Sequence, residues 1–208
     1  MDEKQRWGLR LPGMLGQLKL GMSRDEVQSF NSTFGAPEKI DDRSNYAAGA
    51  ETALAEFAEF FSENDTQQAI STLRQVEARE SDVVIEYRRQ DSPILEFRSG
   101  LLSTIRTDSR CNQLNLDGFP VYGMPPQHVV RRLVASESQP MIIDNSLLFP
   151  SQGVELVDFA EELSGSAVRL VAPNTPSQLR FLNLISSELI RNISQFYHPV
   201  ALSALPRD

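Results

Sequence analysis

The chain has 208 residues, 40% of them apolar, and carries 20 Lys and Arg against 28 Asp and Glu for a net charge of −8. That length and apolar content suit one larger domain or two small ones with a core that needs no staples, and the single cysteine, Cys111, excludes an intramolecular disulfide and a thiolate metal cluster. The acidic balance excludes a nucleic-acid groove, which would need a basic patch to offset it, and the apolar runs are all far shorter than the roughly 20 residues of a spanning helix.

From Met1 to Leu20 the chain is interrupted by Asp2, Glu3, Arg6, Arg10, Pro12 and Lys19. Residues 1–17 therefore read as an N-terminal extension without the continuous apolar region of a secretory signal or lipoprotein leader. The first helix opens at Ser23-Arg24-Asp25-Glu26, a capping box in which Ser accepts from the third helical amide and Glu reaches back to the cap. Val27, Phe30 and Phe34 follow at helical spacing, and Gly35-Ala36-Pro37 supplies the stop. A second helix is predicted from about Ala50 to Phe61, with Leu54, Phe57, Ala58 and Phe61 on one side and Glu56, Glu59 and Glu63 on the other. A third is predicted over Asp65 to Ala78, capped by Asn64 or Asp65, with Ile70, Leu73 and Val76 inward.

After Ser81 the period changes from helical to alternating. Val83 to Tyr87, Ile94 to Phe97 and Leu101 to Ile105 are β-rich runs separated by Asp91-Ser92-Pro93 and Ser99-Gly100, the pattern of an antiparallel meander. Leu114 to Leu116 and Phe119 to Tyr122 flank Asp117-Gly118 as a hairpin, and Pro125-Pro126 starts a helix packed through Val129, Val130 and Leu133. Further strands are expected at Pro140 to Ile143, Leu147 to Phe149, Val154 to Val157 and Ala167 to Val171. A closing helix, capped at Thr175-Pro176-Ser177-Gln178, is predicted to bury Leu182, Ile185, Leu189, Ile193 and Phe196 and to stop at Pro199.

The fold class that follows is α+β, with antiparallel sheets flanked by helices, a body over residues 18–172, and a C-terminal helix and tail over 173–208. Leu20-Gly21-Met22-Ser23 and Tyr122-Gly123-Met124-Pro125 both end an apolar stretch and begin a helix. Either this is a common way into a helix, or the body is a duplication of helix-plus-strands half-units at 18–107 and 114–171.

Leu-Gly-Met-Ser-x-x-Glu-Val followed by Phe-Gly-x-Pro, at Leu20 to Pro37, resembles the helix-opening unit of small outer-membrane-assembly lipoproteins and related bacterial domains. The longer order adds Ile94 to Ile105, Leu116 to Met124 and Gly153 to Phe159, and is similar to cytoplasmic immunity proteins that neutralise bacterial polymorphic toxins. Without an acylatable cysteine near its start, the chain departs from the lipoprotein version. The resemblance covers residues 18–159, consists of turn and packing signatures, and carries no catalytic residue across. It implies a cytoplasmic protein whose partner is a cognate toxin or effector.

Charge distribution supplies the candidate site. Between Arg132 and Arg169 lie Glu137, Asp144, Glu155, Asp158, Glu161 and Glu162 with no base, a local charge of −6. Between Arg43 and Arg74 lie Glu51, Glu56, Glu59, Glu63 and Asp65, again with no base. Such tracts steer basic partners, so Glu155, Asp158, Glu161, Glu162, Glu56, Glu59 and Glu63 are the candidate toxin-binding residues. An adaptor of a secretion system, docking through the apolar stripe of the C-terminal helix, is the alternative. Catalysis finds little material: His128 and His198 are isolated, Cys111 lies in a polar turn, no glycine-rich phosphate loop is present, and neither metal nor cofactor is implied. Arg88-Arg89 and Arg131-Arg132 read as an exposed strand edge and helix face.

Overall fold

The computed structural model describes residues 6–45, 60, 62–89, 91–136, 139–163, 167–171 and 180–200. The chain opens with β1 (Gly8–Arg10) and the hairpin β2 (Met14–Leu15) and β3 (Leu18–Lys19), then enters α1 (Arg24–Gln28) and α2 (Asn31–Phe34). The capping box forms as expected: the Glu26 amide donates to Ser23 Oγ at 3.3 Å, and the Ser23 amide donates to Glu26 Oε2 at 2.8 Å. One continuous helix to Phe34 does not form, because the Ser29 hydroxyl donates to the Glu26 carbonyl at 2.6 Å and competes with the helical ladder.

β4 (Lys39–Asp42) follows, and α3 (Glu63–Glu80) is capped by Ser62, whose Oγ accepts from the Asp65 amide at 3.2 Å. The cap thus lies two residues before the expected Asn64. The helix predicted at 50–61 lies outside the described residues, apart from Phe60. The meander appears as β5 (Val83–Tyr87), β6 (Ile94–Arg98) and β7 (Leu101–Asp108).

The hairpin β8 (Asn115–Leu116) and β9 (Phe119–Pro120) turns at Asp117 and Gly118, both at positive φ as a two-residue primed turn demands. Then come α4 (Pro126–Val134), β10 (Met141–Ile143), β11 (Ser146–Phe149) and β12 (Val154–Val157). A ribbon of β13 (Ala160–Leu163) and β14 (Ala167–Leu170) precedes β15 (Phe181–Ile185), α5 (Ser187–Ile193) and β16 (His198–Pro199).

A nine-stranded sheet runs β16-β10-β11-β12-β15-β7-β6-β5-β4 with every neighbouring pair antiparallel, and a five-stranded sheet runs β3-β2-β1-β8-β9 with β1 and β8 parallel. The connectivity repeats. A hairpin, a Gly-Met turn and a helical segment lead into four successive sheet strands, β4 to β7 in the first half and β10, β11, β12 and β15 in the second. The last strand of each half meets the other at the middle of the sheet, where Ile105 lies opposite Leu184. Strand β15 lies beyond residue 171, the expected end of the second half-unit, and the β13–β14 ribbon stands between β12 and β15 as a sheet of its own.

Alternation sorts the large sheet into two faces. Leu95, Phe97, Ile105, Leu147, Phe149, Val154, Leu156, Leu182 and Leu184 point into one core, which also takes Val27 and Phe34 of the first helices and Val129, Val130 and Leu133 of α4. The same core takes Trp7, Leu9 and Leu15, so residues 8–15 are part of the body and not an extension to it. Trp7 packs edge-on against Phe34 with ring centroids 5.3 Å apart.

The long C-terminal helix does not form: Phe181 to Ile185 is a strand, and the helix is confined to Ser187–Ile193. Leu182 and Leu184 face the main core, while Ile185 packs with Leu148 and Ile190 on the opposite face. A strand buried on both sides reads as an apolar run, and such a run satisfies helical spacing as readily as strand alternation. The predicted cap at 175–178 lies outside the described residues.

Arg88 also departs from the sequence reading. It is buried, donating to Glu86 Oε2 at 2.7 Å, to Asn31 Oδ1 at 2.8 Å and to the Gly35 carbonyl. Arg24 closes on the other Glu86 oxygen at 3.0 Å, so two guanidinium groups on one buried carboxylate lock the first helices to β5. Arg132 stacks over Phe119 with its guanidinium carbon 3.8 Å from the ring centroid, shielding the β9 edge.

Candidate functional site

The face of the large sheet away from the core is divided in two. On the side of β10, β11 and β15, α5 closes over Leu148 and Ile185 through Ile190, with Met141, Leu189, Ile193 and Tyr197 around them. The apolar side of α5 thus packs on its own sheet, while Phe196 beyond it is exposed. Towards β6 and β7 the same face meets solvent. Ile94, Glu96, Arg98, Val157 and Phe181 are half-exposed, and Arg106 is exposed.

Glu155 stands where the two regions meet. Its Oε1 accepts from the hydroxyls of Ser146 at 2.7 Å and Tyr197 at 2.5 Å, and its Oε2 accepts from the Asn183 amide at 2.7 Å. Ser146 and Tyr197 are themselves 3.0 Å apart. Each donor arrives from a different place: β11, the strand β15, and the turn after α5. Burial and the adjacent Glu155 carboxylate hold the Tyr197 phenol well above its ordinary titration range, so it is a fixed donor and not a proton source at neutral pH.

The remaining residues of the acidic tracts fall into three groups. Asp158 sits in the turn after β12 at φ 59°, accepts from the Asn145 side-chain amide, and through its own N–H donates to the Asn145 carbonyl at 2.9 Å. This brings the turn carrying exposed Asp144 against the turn carrying Asp158. Glu161 and Glu162 follow on β13, opposite Arg169 and Val168 of β14. Glu63 opens α3, remote in sequence from the others, and Glu56 and Glu59 lie outside the described residues. Asp144 and Asp158 thus meet in paired turns at one end of the large sheet, while Glu155 spends its carboxylate on the fold.

The groups considered for catalysis do not converge. His128 and His198 are exposed on α4 and β16. Cys111 is buried, not displayed on the polar turn, and burial pushes its thiol up to about 11, which leaves it protonated and a poor nucleophile at neutral pH. Among the described residues no three His, Cys, Asp or Glu side chains lie together as a metal site would need, and no helix is long and apolar enough to cross a membrane.

Two buried oxygens complete the picture. Thr104 and Asn183 are each only 5% exposed, yet Thr104 Oγ1 and Asn183 Oδ1 have no hydrogen-bond partner. They belong to the central pair β7 and β15, on the face that carries Arg106 and Glu155. Sequence reading passed over Thr104, Arg106, Ser146, Asn183 and Tyr197, none of which belongs to a motif or a charge run. No family model, curated protein or solved structure matches the chain.

Proposed function

We propose that this chain is a non-enzymatic immunity protein that binds a cognate bacterial toxin and occludes its active site. The observation that carries the reading is the meeting of the Asp144 and Asp158 turns at one end of the large sheet, from which the chain continues into the β13–β14 ribbon that carries Glu161 and Glu162 in its sequence. Carboxylates held together in hydrogen-bonded turns raise the encounter rate with a basic cleft. The resemblance at Leu20 to Phe159 to immunity proteins supports the same class, with the toxin, the bacterial cytoplasm and an effector–immunity pairing as its setting.

The test is co-expression with the product of the neighbouring gene, scored for both rescue of growth and co-purification. Reversal of Asp144, Asp158, Glu161 and Glu162 to Lys should slow association by roughly tenfold at low salt, with a smaller effect at high salt and little change in dissociation. Glu155 is left out of this set because its reversal would break the fold and confound the result. Rescue and association that are indifferent to the reversal would remove this end of the sheet from the interface.

A further inference from the structure

The open face around Arg106 holds an arrangement with a specific vacancy in its hydrogen bonding. Asn183 gives its amide N–H to Glu155 on β12, and because a carboxamide is planar its Oδ1 is turned away from that strand, towards β7 on the other side. On β7, Thr104 is one diagonal step away, since Thr104 pairs with Ile185 and Arg106 pairs with Asn183. Two buried oxygens without partners therefore lie on adjacent strands of one face, the Thr104 hydroxyl able to donate or accept and Asn183 Oδ1 only to accept. Between Asn183 and Ile94 in the same row stands Arg106, exposed and with neither an ion pair nor a hydrogen bond among the described residues.

Charge decides what fits. Glu96 is bound to Arg98 at 2.9 Å, and Glu155 already accepts three hydrogen bonds, so the row of Glu96, Arg98, Arg106 and Glu155 sums to zero. An incoming carboxylate would satisfy Arg106 and could accept from the Thr104 hydroxyl, but it would turn an oxygen on Asn183 Oδ1, which can only accept. An incoming ammonium would serve those oxygens but face Arg106. A carboxamide meets all three: its carbonyl accepts from the guanidinium, and its two N–H groups serve the two orphaned oxygens.

We infer that this locus is the docking centre for the toxin, and that the toxin inserts a glutamine or asparagine side chain between Arg106, Thr104 and Asn183. The inference rests on the toxin-binding reading above and names the surface and the anchoring chemistry. Both oxygens are covered in the free protein, so the partner's side chain reaches them as the side chains around them move aside. Ile94, Val157 and Phe181 supply an apolar surround that keeps water from the polar anchor once the partner is seated. Val157 leads directly into Asp158, so the docking centre is continuous with the paired turns that steer the approach.

The experiment uses the full chain and the purified toxin encoded beside it. Thr104→Val keeps the shape and removes the unsatisfied hydroxyl, so the free protein should be as stable as wild type or more so, while toxin affinity drops about tenfold. Arg106→Ala should weaken binding by a similar factor, chiefly through faster dissociation, and leave the unfolding midpoint unchanged. An alanine scan of the toxin's Gln and Asn residues should find one whose loss is not additive with Thr104→Val. If toxin binds but both variants bind like wild type, or if Arg106→Ala lowers stability as much as affinity, the inference falls and the immunity reading stands. If no toxin is bound or neutralised at all, the two fall together.

Discussion

Three donors on one carboxylate commit Glu155 to the fold. A half-buried carboxylate that accepts from Ser146, Tyr197 and Asn183 fixes each of the three donors in place. Glu155→Ala should lower unfolding free energy by roughly 2–4 kcal/mol, because the Asn183 amide loses its partner in a buried place. Tyr197→Phe alone should cost about 1 kcal/mol, and the double variant should show a coupling of roughly 1–2 kcal/mol in urea denaturation. Strict additivity would mean that the tyrosine is held by the α5 packing and not by the carboxylate. Cys111 gives a second prediction, in pH. Its folded-state value is raised from 9.0 to about 11 by burial, so around pH 10 the folded chain keeps a proton that the unfolded chain has lost. The stabilisation is complete below about pH 9 and is lost as pH rises towards 11. The stability gap between wild type and Cys111→Ala should therefore narrow by roughly 1–3 kcal/mol between pH 8 and pH 11, whereas a constant gap would mean that the thiol titrates as it does in water.

Among the elements, those fixed by local chemistry were legible in the sequence. Ser23 with Glu26, Asp117-Gly118, and Pro125-Pro126 each act over two to four residues, and each appears as the cap, turn or helix start that its chemistry demands. The meander from Val83 to Ile105 was legible for a related reason: its short polar turns leave adjacent strands little choice but to pair. β15 was not legible, because its burial on both faces depends on β7, β12 and α5, and no window around Leu182 contains them. β13 was missed because Glu161-Glu162 has the composition of a solvated loop, and only pairing with β14 makes it a strand. The candidate site divides in the same way. Asp158, Glu161 and Glu162 could be read as charge, whereas the role of Glu155 depends on donors 9, 28 and 42 residues away in the chain. Its neighbours Thr104 and Asn183 are ordinary polar residues until β7 and β15 are set side by side.

For the whole molecule the decisive feature is the seam where β7 of the first half of the chain pairs with β15 of the second. β7 and β15 pair over five positions, β1 of the first half pairs with β8 of the second, and one core runs from Trp7 to Val200. Neither half has a core of its own in this arrangement. Cutting between them would expose the whole edge of β7 and the apolar face holding Leu102 and Ile105, a surface that a half-length chain cannot cover. Residues 1–110 and 111–208 expressed separately should each be aggregated or unfolded by circular dichroism, while the same two fragments expressed together should co-purify as one folded complex, since the break falls in the turn after β7 and removes no sheet pairing. Independent folding of either fragment would show that the seam joins two finished domains. The site adds a functional readout to the same experiment. Thr104 and Arg106 come from the first fragment, and Asn183 and Glu155 come from the second. On the proposed reading, toxin neutralisation should be absent from either fragment alone and return only with the reassembled pair, because the proposed anchor draws on residues of both fragments.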